Sequence, residues 1–327
     1  MSSENKLTDE QVKRDLIADA ENPDAWEAPI AVQPSTSGRP EWYGRRVLTV
    51  GKPREWEAFE KRHRLFFERY ADLRDAQNLA FIRPIKNPSR RDLVVFYTGR
   101  LAVEDFQEIL LLAGNGSGVG ALKILRGMYE RTVHGRYLSQ APDSEVENFY
   151  DWHWVQKHKL TDELAKTMGP DFFTKLGYDE NVKALEAQYE SVRERFLVSH
   201  CDECRKKRVN HTWSKLSLLD MAAKSGQGIR GLTFEAYYIP LEHTHSSIAA
   251  ILHRVGTDKD GAVTFKDDVQ PDEADLALQY GHLLLLNVLN LQYEYFKLDV
   301  LKKPLEKCFA TYREIWLPNE TDSGGAV

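Results

Sequence analysis

Cysteine is scarce. Three cysteines in 327 residues do not make a disulfide framework, so a reducing compartment is the default and a cytoplasmic location is expected. Long apolar runs are also missing. The most apolar stretch, residues 283–291 (LLLLNVLNL), is too short to span a membrane and carries Asn287 and Asn290. The first residues, MSSENKLTDEQVKRD, hold no apolar core like that of a signal peptide. No excess of positive charge is present either: 44 Lys and Arg stand against 50 Asp and Glu, a net charge of −6. That argues against a broad nucleic-acid surface and leaves room for a local basic cleft. No repeat at a solenoid period is visible, nor a Ser/His/Asp array or acidic metal cluster of recognisable spacing.

What is present is helical periodicity in a chain 42% hydrophobic, enough to bury a sizeable core. Residues 1–50 read as a mostly extended N-terminal segment. In it 7–20 could form a short helix, Trp26, Trp42 and Tyr43 could pin the chain to the body, and RVLTV (46–50) is a strand without an obvious partner. Residues 51–318 read as a single helical domain and 319–327 as a disordered tail. Apolar residues at spacings of three and four predict helices over 55–76, 92–113, 118–140 and 144–168. Further helices are expected near 181–198, over 214–225, over 234–255 around Pro240, and over 304–316. A hairpin-like turn occupies 256–263. The helix from 272 to about 301 is apolar nearly all round through 283–296, so it should lie at the centre. The fold class is all-α, a multi-helix bundle with a long central C-terminal helix and at most a trivial sheet.

The rest is organised around residues 114–140, GNGSGVGALKILRGMYERTVHGRYLSQ. On a helical wheel Arg126 falls among Val119, Leu122, Tyr129, Val133 and Tyr137, an apolar arc. A buried unpaired charge is expensive, so the arginine needs a partner. Glu130 is one turn on, and His134 follows one turn later. A structural ion pair at a helix–helix contact is the commoner meaning of such a pattern. The functional meaning is an arginine held ready for a phosphate or carboxylate. The alternating glycines fit neither the dinucleotide fingerprint nor the phosphate loop of nucleotide hydrolases. They read as a tight helix–helix turn with Gly114 as the C-cap.

His243 and His245, in LEHTHSS, fall on opposite sides of a helix and should not chelate one metal together. His245 lies beside Leu241, Ile248 and Leu252 and reads as an interhelix histidine or as a proton-transfer group. Cys201 and Cys204 give a good zinc bite, with His211 as a third ligand, but a fourth with proper spacing is missing. No stoichiometric zinc and no cofactor are expected. Trp152, His153, Trp154 and His158 read as packing and surface residues of an aromatic helix.

Three segments carry a resemblance: LLAGNGSGVGALKILRGMYERTVHGRYL, then WSKLSLLDMAAKSG with its lone Trp213, then YYIPLEHTHSS. Together they resemble a family of helical bacterial proteins without an assigned activity, domain-of-unknown-function family 5677, over roughly residues 90–255. Arg126, Glu130, Tyr137 and Leu138 match its Arg-x3-Glu helix with the following Tyr-Leu. Trp213 matches its tryptophan segment, and Tyr237 or Tyr238 with His245 its last helix. Glu242 stands where the family has serine, no proline follows His245, and the insert 199–211 is extra.

The resemblance implies a polar site on two helices, with Arg126, Glu130 and His245 as its hypothetical catalytic group and Tyr137, Trp213 and Tyr238 as binding residues. By analogy of architecture with HEPN-type helical bundles, the expectation is a nucleic-acid-related or defence-associated domain. Its ligand would be RNA or another phosphate-bearing molecule. The alternative is a non-enzymatic interaction or scaffold protein in which the same residues are structural. Self-association is left open.

Overall fold

The structure is a computed structural model that describes residues 52–199, 207–244, 248–265 and 269–317. Trp26, Trp42, Tyr43, the RVLTV stretch, Cys201, Cys204, His245 and the tail from 318 therefore lie outside the described residues. Those described are mainly helical. In order come α1 (Pro53–Arg62), α2 (Arg64–Phe81), α3 (Arg90–Gly114), α4 (Gly118–Gln140), α5 (Asp143–Met168), α6 (Phe172–Lys175) and α7 (Asp179–Arg193). A small hairpin follows, β1 (Leu197–Ser199) with β2 (Lys207–Val209), then α8 (Leu218–Ser225) and α9 (Gln227–Gly231). A π-helical turn, Phe234–Tyr238, leads into α10 (Ile239–Thr244) and α11 (Ile248–Leu252). A second hairpin, β3 (Val255–Thr257) with β4 (Val263–Phe265), precedes α12 (Pro271–Phe296) and α13 (Lys302–Trp316).

Helices α3, α4 and α12 form the centre and pack on one another more than any other elements do. Their lengths follow from local signals. Ser89 caps α3 through a capping box: its Oγ accepts from the Asp92 amide at 3.1 Å, and Asp92 accepts from the Ser89 amide at 2.8 Å. The phenol of Tyr295 on α12 donates to the other Asp92 oxygen at 2.8 Å, tying that cap to the central helix. Pro271 opens α12, where a missing N–H costs nothing, and Lys297 ends it in a left-handed conformation at φ 55°. The single helix expected over 55–76 is two helices broken at His63, whose φ of −108° interrupts the run.

The glycine turn is a packing device, as its sequence suggested, but Gly114 is not the cap. Asn115 holds that place, and Gly116 takes the positive φ of 75°. Close approach explains Gly114 and Gly118. A Cβ on Gly114 would lie 2.6 Å from the Trp56 ring, and one on Gly118 would lie 2.3 Å from the Gln270 carbonyl oxygen. The Val119 amide at the start of α4 donates to Gln270 Oε1 at 3.1 Å, and the Gln270 amide donates to the Gly116 carbonyl at 3.2 Å. The turn is thus filled by the entry of α12 rather than left open for a phosphate.

The region expected as one helix over 234–255 is divided. Pro240 has no N–H to give, so the turn before it widens to the five-residue spacing: the Ile239 amide donates to the Phe234 carbonyl. His243, which the wheel puts opposite Leu241, Ile248 and Leu252, is buried, while Ile248 and Leu252 are exposed. The helix expected over 214–225 starts at Leu218, because Ser217 and Asp220 form a capping box there. Trp213 therefore sits in a loop. No helix among the described residues is long and apolar enough to cross a membrane.

Candidate functional site

Helix α4 buries one broad face against the core. Leu122, Leu125, Met128, Tyr129, Val133 and Leu138 are inaccessible to water. Among its partly exposed positions Arg126, Glu130 and His134 form one stripe, at i, i+4 and i+8. These three side chains line a cleft of about 800 Å³. Helix α5 forms another wall with Phe149, Trp152 and His153, and the 210–217 loop forms a third with Trp213 and Lys215. Tyr237, on the π-helical turn, closes the end beside Arg126.

The charged end is ordered by three contacts. Arg126 Nη2 lies 2.8 Å from Glu130 Oε1, with the two side chains 24% and 33% exposed. The Arg126 guanidinium also stands 5.0 Å from the Tyr237 ring centroid, within cation–π range. Its Nε is buried and finds no hydrogen-bond partner. The neighbouring Tyr129 is fixed from below, its hydroxyl 2.8 Å from Thr233 Oγ1. The arginine is thus held by charge on one side and by a ring on the other, and it still faces the cleft.

The other end is aromatic. Trp213 is buried and meets Phe149 edge-to-face at 5.3 Å, His134 at 5.5 Å and Tyr137 at 6.1 Å between ring centroids. Burial among these rings pushes the His134 imidazole down to about 4, so it is neutral at physiological pH. The loop that carries Trp213 is tied at several points. Ser214 Oγ donates to Glu145 Oε2 at 2.8 Å, Asn210 Nδ2 donates to the Ser214 carbonyl at 2.8 Å, and Lys159 Nζ donates to the Asn210 carbonyl at 3.0 Å. Tyr137 donates to the same Glu145 oxygen at 3.4 Å. Burial beside that carboxylate pushes the Tyr137 phenol up.

The residues expected from sequence divide as follows. Arg126, Glu130 and Trp213 meet in one cleft. Tyr137 is buried behind Trp213 and supports it rather than lining the space. Tyr238 is exposed and off the cleft, and Tyr237 takes the place beside Arg126. His245 lies outside the described residues. His211 lines the cleft, and among the described residues no three His, Cys, Asp or Glu are grouped to hold a metal. His134, Phe149, Trp152 and His153 are cleft residues that the sequence reading did not assign to the site. For His134 the signal was there in the four-residue spacing from Arg126 and Glu130. For the α5 residues an aromatic helix looked the same whether it packed or lined a cleft.

A family model described as a family of unknown function, DUF5677, matches residues 92–262. That span runs from the capping box of α3 to the turn before β4 and contains every residue of the cleft, while α12 lies beyond it. No curated protein and no solved structure matches the chain.

Proposed function

We propose a function for a chain that belongs to this family, DUF5677: it binds RNA or another phosphate-bearing ligand in the cleft between α4, α5 and the 210–217 loop. The observation that carries the reading is Arg126, aimed into an open cleft while its position is fixed by Glu130 and Tyr237. A planar guanidinium held in one orientation is suited to a phosphate. Aromatic side chains along the walls suit flat rings, as single-stranded nucleic acids need. With a net charge of −6 the contact has to be local, and Lys215 and the exposed Lys207 and Arg208 of β2 are the cations near it in the chain.

Cleavage is the finer part of the proposal. Arg126 would neutralise the phosphate, Glu130 would orient Arg126, and His245 would move the proton. One observation favours the rival reading, an interaction protein without chemistry: Glu130 already meets the charge of Arg126. The deciding experiment is fluorescence anisotropy with a labelled single-stranded RNA in chelator, followed by gel analysis of the same RNA. Binding lost in Arg126→Ala, with circular dichroism unchanged, supports the ligand reading. Cleavage lost in His245→Ala as well supports the enzymatic form. Absence of RNA binding by the parent chain leaves the interaction protein as the better account.

A further inference from the structure

The cleft has two unlike ends on one helix. Arg126 and His134 are eight residues apart on the same face of α4, about 12 Å at 1.5 Å per residue. Around Arg126 stand a carboxylate and a phenol ring. Around His134 stand Phe149 and Trp213, with centroids 6.2 and 5.5 Å from its own. The histidine ring has no hydrogen-bond partner among the described residues, and it is only half-buried, so one edge reaches the cleft.

Each feature restricts what can lie there. An aromatic box disfavours an anion, because desolvating a charge without a partner is costly. Burial also keeps the imidazole neutral, so it attracts no phosphate, and offers one N–H donor and one bare nitrogen acceptor instead. Its edge meets the open cleft, so a ligand with a matching group on its edge can take the place of water there. The complementary object is a flat, uncharged ring with hydrogen-bond groups on its edge.

Resting on the proposed function, we infer that the cleft takes a two-ended ligand of the nucleotide class. Its anionic group lies at Arg126, and its uncharged heterocyclic ring lies beside His134 and Trp213. His134 is then a specificity-determining residue that distinguishes a nucleotide from its sugar phosphate.

The test is calorimetric titration of the full chain with nucleoside 5′-monophosphates and with ribose 5-phosphate. The nucleotide that binds most tightly is expected to exceed ribose 5-phosphate at least tenfold. His134→Phe keeps a ring in the box and removes the hydrogen-bond groups. It should reduce that ratio at least fivefold with ribose 5-phosphate affinity unchanged. His134→Gln restores a donor and an acceptor and should recover part of the ratio. Arg126→Ala should weaken both probes together. Equal binding of nucleotide and ribose 5-phosphate by the parent would overturn the inference and leave phosphate binding standing, as would a ratio that survives His134→Phe. Binding of neither probe would overturn the inference and the anion-binding reading with it.

Discussion

Tyr237 stands with its ring centroid 5.0 Å from the Arg126 guanidinium, whereas Tyr238, the next residue, is 41% exposed and takes no part in the cleft. Both tyrosines lie on the π-helical turn over Phe234–Tyr238, and Tyr237 is the one set against the arginine.

The first prediction follows from that choice. Tyr237→Leu should lower stability by about 1–2 kcal/mol, the loss of a partly desolvated cation–π contact and some packing. Tyr238→Leu should change it by no more than about 0.5 kcal/mol, as surface substitutions do. Urea midpoints of the two variants measure this, and equal midpoints would mean that the Arg126–Tyr237 contact adds no stability.

A second pair of variants separates glycines that fit from glycines that merely occur. Gly118→Ala puts a Cβ 2.3 Å from a backbone oxygen and 2.6 Å from the Ala274 nitrogen. Neither atom is a flexible side-chain end, so α12 must shift away from α4. The expected loss is about 3 kcal/mol, at the upper end of overpacking. Gly228→Ala meets nothing within 4 Å and should be neutral or stabilising by up to about 1 kcal/mol. Thermal midpoints moving together in both variants would contradict this account of the turn.

Why some of this was legible in the sequence, and some not, can be seen at particular residues. The all-α class, the bounds of α4 and the central position of α12 rest on apolar periodicity, which is local. The Arg126–Glu130 pair is a four-residue spacing on one helix, and it appears at 2.8 Å. The cleft around it is not local. Phe149 and Trp152 reach it from α5, and no spacing within α5 distinguishes a wall from a core. Two local signals were misjudged. Pro240 disturbs the turn before it as well as the helix after it, and His243 is buried where Ile248 and Leu252 are exposed. The Ser217–Asp220 capping box started α8 four residues later than expected and left Trp213 in a loop.

Arg126→Ala gives the third prediction. The pair sits between the exposed and the fully buried case, at 24% and 33% exposure, so water reaches the Glu130 carboxylate when its partner goes. A fully buried pair broken in this way would lose about 3–5 kcal/mol. Here the loss should be about 1–2 kcal/mol, above the typical exposed pair. Arg126→Ala combined with Glu130→Ala should cost less than the two single changes summed, because each removes the same contact. Strict additivity in a double-mutant cycle would show that the pair carries no coupling.

The last prediction concerns pH, and its sign depends on groups that oppose one another. Burial pushes His134 down to about 4 and His282 down to about 3, from an ordinary value of 6.5. Between those limits the unfolded chain binds protons that the folded chain refuses, so both histidines make stability fall as pH falls below 6.5. Asp105 acts the other way. Burial raises it from 3.8 to about 6, with Glu108 and Glu104 adding to the rise and Arg131, whose Nη1 is 2.6 Å away, resisting it. The folded chain therefore holds a proton on Asp105 between about 3.8 and 6 that the unfolded chain has lost, so this group makes stability rise as pH falls through that window. Burial also holds His243 below its ordinary value, so the parent should lose stability on acidification from pH 6.5 to 4.5, the histidines partly offset by one carboxylate. Asp105→Asn removes the offset and leaves the histidines, so its stability should fall more steeply over the same range, whatever its stability at pH 7. Urea midpoints of both chains at pH 6.5, 5.5 and 4.5 give the two slopes. Parallel slopes would mean that Asp105 ionises like an exposed carboxylate, and a shallower slope in the variant would reverse the assignment of sign.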